Sequence, residues 1–303
     1  VITLVEVPKS QSPFFYAALE EWLVRNCDCA NTDYLLLYVN DACAVVGKNQ
    51  CVYKELNFNF WFHEPQKVVR RVSGGGTVFH DWGNLNFAFI SKFEEMKMNN
   101  YAYFNEAIRI FLNEHGVPAM FNARNDMVAG GKKISGNAQF TNRKNILSHG
   151  TLLVNADLKM LGAALKANSF SIKTKAVSSV RSSVENVSSF STTLREVHLV
   201  QEQLAAAICE KSFALNKLAL NEVALLQKEK YETYDWQFAR SPDCIITCND
   251  FECSISNGLF HAMSFANSAF SFIEKLNGCR FQKTEMAARL SKAEMALLLR
   301  AIT

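Results

Sequence analysis

The residues best equipped for chemistry lie in one run, Arg70-Arg71-Val72-Ser73-Gly74-Gly75-Gly76-Thr77-Val78-Phe79-His80-Asp81. Consecutive glycines behind an apolar stretch let backbone N–H groups approach an anion closely, because no Cβ intervenes and positive φ is accessible. Arg70 and Arg71 add fixed positive charge that suits phosphate oxygens. The run is neither a Walker A loop nor a dinucleotide fingerprint: no Gly-Lys-Ser/Thr follows, and the glycine spacing differs. On its own, such a run also suits a tight turn or bulge.

A second group follows downstream: Arg124-Asn125-Asp126, then Gly130-Gly131-Lys132-Lys133-Ile134-Ser135-Gly136-Asn137-Ala138, then Ser148-His149-Gly150-Thr151-Leu152-Leu153. A lysine held on a strand beside a glycine can aim its ammonium at a phosphate or carboxylate. Asp126 suits a metal ion or a sugar hydroxyl. Singly, Lys133 also reads as a surface charge, and His80 and His149 as structural histidines. Their joint occurrence points to a site.

Periodicity supplies the elements that must position these residues. Phe14 to Val24 reads as an amphipathic helix, with Phe15, Leu19, Trp22 and Leu23 inward and Glu20 and Glu21 facing away. Tyr34–Val39 and Ala42–Val46 read as a hairpin closed by Asn40-Asp41. Val68–Val72 is a strand running into the glycines, and Asn86–Ile90 another. A helix over Tyr103–Glu114 is ended by Gly116 and Pro118. Met127–Val128, Lys133–Ile134 and Thr151–Val154 read as short strands, Ala156–Ala167 as a helix, Ser169–Thr193 as a long Ser/Thr-rich loop and Glu202–Leu226 as a helix. Beyond a composition shift at Tyr231–Pro242 come strands at Cys244–Cys248, Phe251–Ile255 and Leu259–Phe265, then helices at Ser268–Leu276 and Lys283–Leu299. The expectation is an α+β protein, with a large domain at 1–232 and a small one at 240–303.

With 303 residues, 49% of them apolar and 20% charged, the chain has an ordinary globular balance that argues against disorder. A formal net charge of +3 is too small for a dedicated nucleic-acid footprint. The nine cysteines form no CxxC and no finger-like set, so they read as inert thiols in a reducing compartment rather than as disulfides or zinc ligands. No apolar run is long enough to span a membrane, and no signal peptide is visible before Ser10. The expected location is cytoplasmic, or mitochondrial if a leader was removed ahead of Val1.

Taken together, Arg70 to Asn84, Lys133 to Ala138 and His149 to Leu153 resemble the lipoate–protein ligase A family, relatives of the biotin protein ligases. Val45 to Gln50 fits the family's early glycine-containing strand and turn. Val180-Arg181-Ser182 looks like its mobile adenylate-binding loop, and Tyr234 to Phe238 resembles the aromatic segment before its small C-terminal domain. The resemblance implies a mixed-sheet catalytic domain followed by an α+β accessory domain. It implies a two-step reaction, in which lipoate and Mg-ATP give lipoyl-AMP and a lysine of a lipoyl domain then takes the lipoyl group. By the same resemblance, Arg70, Gly75, Gly76, Thr77, Val78, Lys133 and Asp126 would serve ATP. Arg71, Ser73, Gly74, His80, His149 and Lys133 would serve lipoate, with Asn84 also at the pocket wall. Lys133 would bridge the lipoate carbonyl and the α-phosphate in catalysis, and Asp126 would be the Mg²⁺ candidate. The dithiolane slot would be lined near Val46, Val72 and Phe79. The implied partners are the lipoyl domains of 2-oxoacid dehydrogenase complexes and the glycine-cleavage carrier protein, with no nucleic acid and no membrane.

The same motifs also admit rival readings. The same fold family contains octanoyl and lipoyl transferases that use a preformed adenylate or an acyl donor, some through a cysteine thioester. No cysteine occurs from Val52 to Ile208, which favours ATP chemistry, and Cys51 lies outside the three motifs. A non-catalytic binder would have no use for a lysine poised at an α-phosphate.

Overall fold

The computed structural model describes residues 1–7, 12–63 and 67–302. Its centre is a six-stranded mixed sheet of β1 (Ile2–Glu6), β2 (Asp33–Tyr38), β6 (Asn84–Lys92), β10 (Asn137–Thr141), β11 (Asn145–Leu153) and β13 (Lys211–Ala214). The order is β10-β11-β6-β2-β1-β13. β1 runs parallel to both β2 and β13, and the remaining pairs are antiparallel.

β6 shows why this sheet sits inside the molecule. Successive side chains of a strand point to opposite faces. Leu85, Phe87 and Phe89 pack with Phe104, Ile108 and Leu112 of α4 (Tyr101–Glu114) and with Val200 and Leu204 of α6 (Val197–Ile208). On the other face, Ala88 and Ile90 meet Leu19, Leu23 and Val24 of α1 (Pro13–Asn26) and Val223 of α7 (Lys217–Leu226). Leu19, Leu23 and Val24 are fully buried, and each such side chain contributes about 1.5–3 kcal/mol.

A three-stranded sheet, β4-β3-β5, carries the glycine run between two of its members. It consists of β3 (Cys43–Val46), β4 (Lys67–Arg70) and β5 (Val78–His80), with β3 parallel to β4 and antiparallel to β5. β7 (Met120–Phe121), β8 (Met127–Ala129) and β9 (Lys132–Ser135) form another small sheet, which presents Lys133. β12 (Ser171–Thr174), β14 (Cys244–Thr247), β15 (Phe251–Ser256) and β16 (Leu259–Phe265) form a four-stranded antiparallel sheet.

Several local expectations are corrected. β2 and β3 are not a hairpin; they belong to different sheets. A two-residue hairpin turn needs positive φ at its central residues, and neither Asn40 nor Asp41 has it. The long helix expected to 226 is split by β13, whose exposed residues form a ladder with β1. The loop expected from Ser169 contains β12, which joins the C-terminal sheet. Lys283–Leu299 is two helices, Lys283–Arg289 and Lys292–Ala301, and Ser291 with Glu294 forms a capping box at the start of the second. Glu20 and Glu21 are buried at 3% and 2% exposure rather than facing away.

One apolar cluster crosses from the first part of the chain to the last. Val46, Tyr53, Phe58 and Val68 pack with Ile246, Ile255, Phe260 and Ile273. All nine cysteines are unpaired. Among the described residues, no helix is long and apolar enough to cross a membrane.

Candidate active site

The glycine run is held from behind. Arg71, the residue after β4, is 7% exposed. Its Nη2 donates to the carbonyls of Gly74 at 2.6 Å and Gly76 at 2.7 Å, its Nη1 to Val45 O at 3.0 Å and its Nε to Ser73 Oγ at 2.9 Å. The guanidinium therefore fixes the loop through its carbonyl oxygens. Burial brings its pKa down to about 10, so it stays charged at neutral pH. Gly75 has φ of +85°, a conformation that favours glycine. Gly47 passes so close behind that a Cβ there would lie 2.2 Å from Gly75 O.

Ser73 continues the support inward. Its Oγ meets His149 Nε2 at 2.6 Å, and His149 Nδ1 meets Glu20 Oε2 at 2.7 Å. Tyr38 OH donates to Glu20 Oε1 at 2.9 Å. Arg71, Ser73, His149, Glu20 and Tyr38 thus form one buried polar relay that starts at the loop and ends on β2. Ser73 does not line the cleft, so its hydroxyl serves the relay behind the glycine run.

Lys133 approaches from β9. Its Nζ pairs with Asp126 Oδ1 at 2.8 Å. A Cβ on Gly136 would lie 2.9 Å from its Cε and Nζ, so that glycine makes room for the side chain. The Lys133 backbone is bonded on both sides to the segment that follows β12: its N–H to Ser183 O at 2.9 Å, its carbonyl to Glu185 N at 3.0 Å.

Residues 176–182 of that segment form a strap over the glycine run. Ser179 Oγ accepts from Thr77 N at 2.8 Å and from Gln50 Nε2 at 3.0 Å, and it also bonds the Glu55 carboxylate. The strap and Lys133 divide a cleft into two lobes of about 460 and 370 Å³ that share Thr77, Val78, Lys133, Gly136 and Thr151. The first lobe is lined by apolar groups such as Phe79, Leu153, Leu161 and Phe170. The second runs past Arg71, His149, Glu20, Tyr38, Asn40 and His80.

The structure brings together Gly75, Gly76, Thr77, Val78, Lys133, Asp126, Arg71, His80 and His149 on the cleft. Ser73 and Gly74 lie just behind it, and Asn84 is buried with its Nδ2 on Asn86 Oδ1. Arg70 is elsewhere. It is fully buried, and its guanidinium donates to the carbonyls of Gly47, Lys48, Gln50, Trp236 and Gln237 and to Ser241 Oγ. Its donors are committed to the protein, so contact with phosphate, expected from its sequence position, is corrected here to a structural tether. Val46 and Val72 lie in the core away from the cleft, while Phe79 faces the first lobe. Glu20, Tyr38, Asn40, Gln50, Glu55 and Ser179 escaped the sequence reading. None stands in the three motifs that carry the resemblance; Gln50 closes the Val45–Gln50 stretch but had no role of its own assigned, and a glutamate on a helix is ordinarily taken as solvated.

A family model described as the lipoyl protein ligase A/B catalytic domain matches residues 12–209. The chain belongs to that family. The lipoate-protein ligase LplJ of Bacillus subtilis is 36% identical over 237 residues, covering 76% of this chain and 71% of the relative. A crystal structure of a lipoate-protein ligase A bound with ATP superposes with a TM-score of 0.66 at 24% identity, over 78% of this chain and 97% of the other. Plasmodium falciparum LipL1 in complex with lipoate has a TM-score of 0.63 at 18% identity, over 98% and 99% of the two chains. These likenesses establish the lipoate-ligase fold, α+β with a catalytic domain and a C-terminal domain. The lipoyl protein ligase match ends ahead of Trp236, Gln237 and Ser241, so Arg70 ties the matched part to a segment beyond it. No cysteine lines either lobe, and Cys51 is buried in the apolar cluster against Cys244. Among the described residues, the cleft therefore presents no thiol.

Proposed function

We propose that this chain is an ATP-dependent lipoate–protein ligase, with the nucleotide in the first lobe and lipoate in the second. Lys133 carries the reading, because its ammonium stands where the two lobes meet. The larger, apolar lobe suits a purine. The smaller one is closed by the buried relay and suits an eight-carbon acid. A carboxylate oxygen of lipoate attacks the α-phosphorus, and the bond from that phosphorus to the leaving oxygen breaks to release pyrophosphate. The lysine amine of the acceptor then attacks the lipoyl carbonyl, losing a proton as AMP departs. Both steps gather negative charge around one point, and a preorganised ammonium with backbone N–H donors is how such charge is stabilised.

Thr77 N–H, now bonded to Ser179 Oγ, is a natural phosphate donor together with the amides of Gly75, Gly76 and Val78. Phosphate would take the place of the strap serine, so the strap must shift as ATP enters. Mg²⁺ enters as the metal of the substrate Mg-ATP. Among the described residues there is no group of three or more His, Cys, Asp or Glu able to hold a metal. Asp126, the carboxylate beside Lys133, fits an ion whose other ligands are phosphates and waters. The proposed acceptors are lipoyl domains of 2-oxoacid dehydrogenase complexes and of the glycine-cleavage carrier. A reducing compartment, cytoplasm or mitochondrial matrix, suits nine unpaired thiols. The division at 1–232 and 240–303 is retained as a proposal, with β12 of the first part completing the C-terminal sheet.

The test is mass spectrometry of an apo lipoyl domain incubated with the protein, lipoate and Mg-ATP. A mass gain that requires both lipoate and ATP is expected. A gain with synthetic lipoyl-AMP but none with ATP would replace the ligase with a transferase.

A further inference from the structure

Two residues that line the second lobe carry polar atoms that the relay from Arg71 to Tyr38 does not use. His80 and Asn40 both line it, at 4% and 2% exposure. The Asn40 Nδ2 amide donates to His80 Nδ1 across 3.0 Å, which leaves the ring proton on Nε2. That Nε2–H and Asn40 Oδ1 are buried with no hydrogen-bond partner among the described residues. Alternation along β5 sends His80 to the second lobe and Phe79 to the first. Burial, with Arg71 and His149 nearby, pushes the ring pKa down to about 3, so the imidazole is neutral at physiological pH. A buried donor left dry is costly, and a site built to pair with a substrate atom rejects an analogue that lacks it.

We propose that His80, oriented by Asn40, selects a sulfur-bearing tail over a plain hydrocarbon one, its Nε2–H donating to a sulfur of the dithiolane ring. The inference rests on the reading of the second lobe as the lipoate site. Lipoate and octanoate share a carboxylate and an eight-carbon chain and differ at the far end. Octanoate places methylenes against Nε2–H, whereas lipoate offers an acceptor. Sulfur is a weak acceptor, so the expected preference is about tenfold in Kd.

Calorimetric binding of lipoate, octanoate and an octanoate analogue with one tail methylene replaced by sulfur tests this, on the unmodified protein and on His80→Phe and His80→Gln. The unmodified protein should favour lipoate, with the thia analogue close behind it. The preference should collapse in His80→Phe and partly return in His80→Gln, which restores an N–H donor. A merely structural histidine would weaken both acids together and leave their ratio alone. If the variants do not fold, the ligand series decides. Equal affinities, a thia analogue no better than octanoate, or no binding of any of the three acids to the folded protein overturns the proposal. ATP-dependent lipoylation is measured separately on the same protein. Its absence would remove the ligase reading while the affinity ratio still judges His80.

Discussion

Lys133 has a carboxylate partner, a glycine against its side chain and a bonded backbone on both sides, so its ammonium has little freedom. Preorganisation of this kind is what a charge-stabilising group needs, and losing one costs roughly 10²–10³ in rate. Lys133→Ala should therefore reduce lipoate-dependent exchange between pyrophosphate and ATP by about that factor, with an unchanged circular dichroism spectrum. Near-normal exchange would take Lys133 out of the mechanism. Lys133, Asp126, His149 and Gly75 to Val78 were legible in the sequence because each stands in a short motif whose residue types suit an anion. Arg70 was misread for a simple reason. Two adjacent arginines look equivalent as charge, but a strand sends neighbours to opposite faces. Arg71 meets the glycine carbonyls, and Arg70 meets the C-terminal segment. Glu20 carried no local signal at all; only the fold brings His149 and Tyr38 to it.

At the scale of elements, the strap is pinned chiefly at Ser179, whose N–H also bonds the Glu55 carboxylate, with Arg181 Nη2 on Leu165 O as a second tie. Ser179 Oγ bonds Thr77 N, Gln50 and Glu55 together. Ser179→Ala removes that hold, and a net hydrogen bond is worth about 1 kcal/mol. Calorimetry with a non-hydrolysable ATP analogue should show affinity raised by up to about fivefold, since the nucleotide no longer competes with the strap. Unchanged or weaker binding would mean that the strap does not oppose nucleotide entry. Helices whose apolar faces meet a sheet, such as α1 and α4, were legible from period alone. β13 and β12 were not, because a four-residue edge strand owes its existence to a distant ladder partner. The break before Lys292 was legible in principle, as Ser291 and Glu294 spell a capping box. Ser291→Ala should cost the protein about 1 kcal/mol in chemical denaturation.

For the molecule as a whole, Arg70 is the polar counterpart of the apolar cluster that joins first and last parts. Its removal strands several buried carbonyls at once. Arg70→Met should lower stability by about 3 kcal/mol or more while leaving ATP affinity in the surviving folded protein little changed. A weakened ATP affinity without loss of stability would return Arg70 to the phosphates. Acid stability is a second global property. His80 titrates near 6.5 in an unfolded chain and about 3 in the fold. Below pH 6.5 the unfolded chain therefore binds a proton that the native state refuses, and stability falls as pH drops from there toward 3. The contribution reaches roughly 3 kcal/mol by pH 4. His80→Phe should flatten the dependence of melting temperature on pH across that window, and an unaltered slope would mean the ring is solvated in the native protein.

The unpaired thiols also turn the chain into its own stopwatch. Seven are buried, and only Cys209 and Cys248 are partly accessible. A brief pulse of alkylating reagent should tag those two in the resting protein, and every further tag would date an opening event. Cys51 and Cys244 touch each other across the junction that Arg70 secures. Should the C-terminal segment lift away during the catalytic cycle, these two would be labelled together and ahead of Cys27 and Cys29, which sit at the far end of α1. The order of labelling would then separate a working movement from general unfolding, without adding a probe.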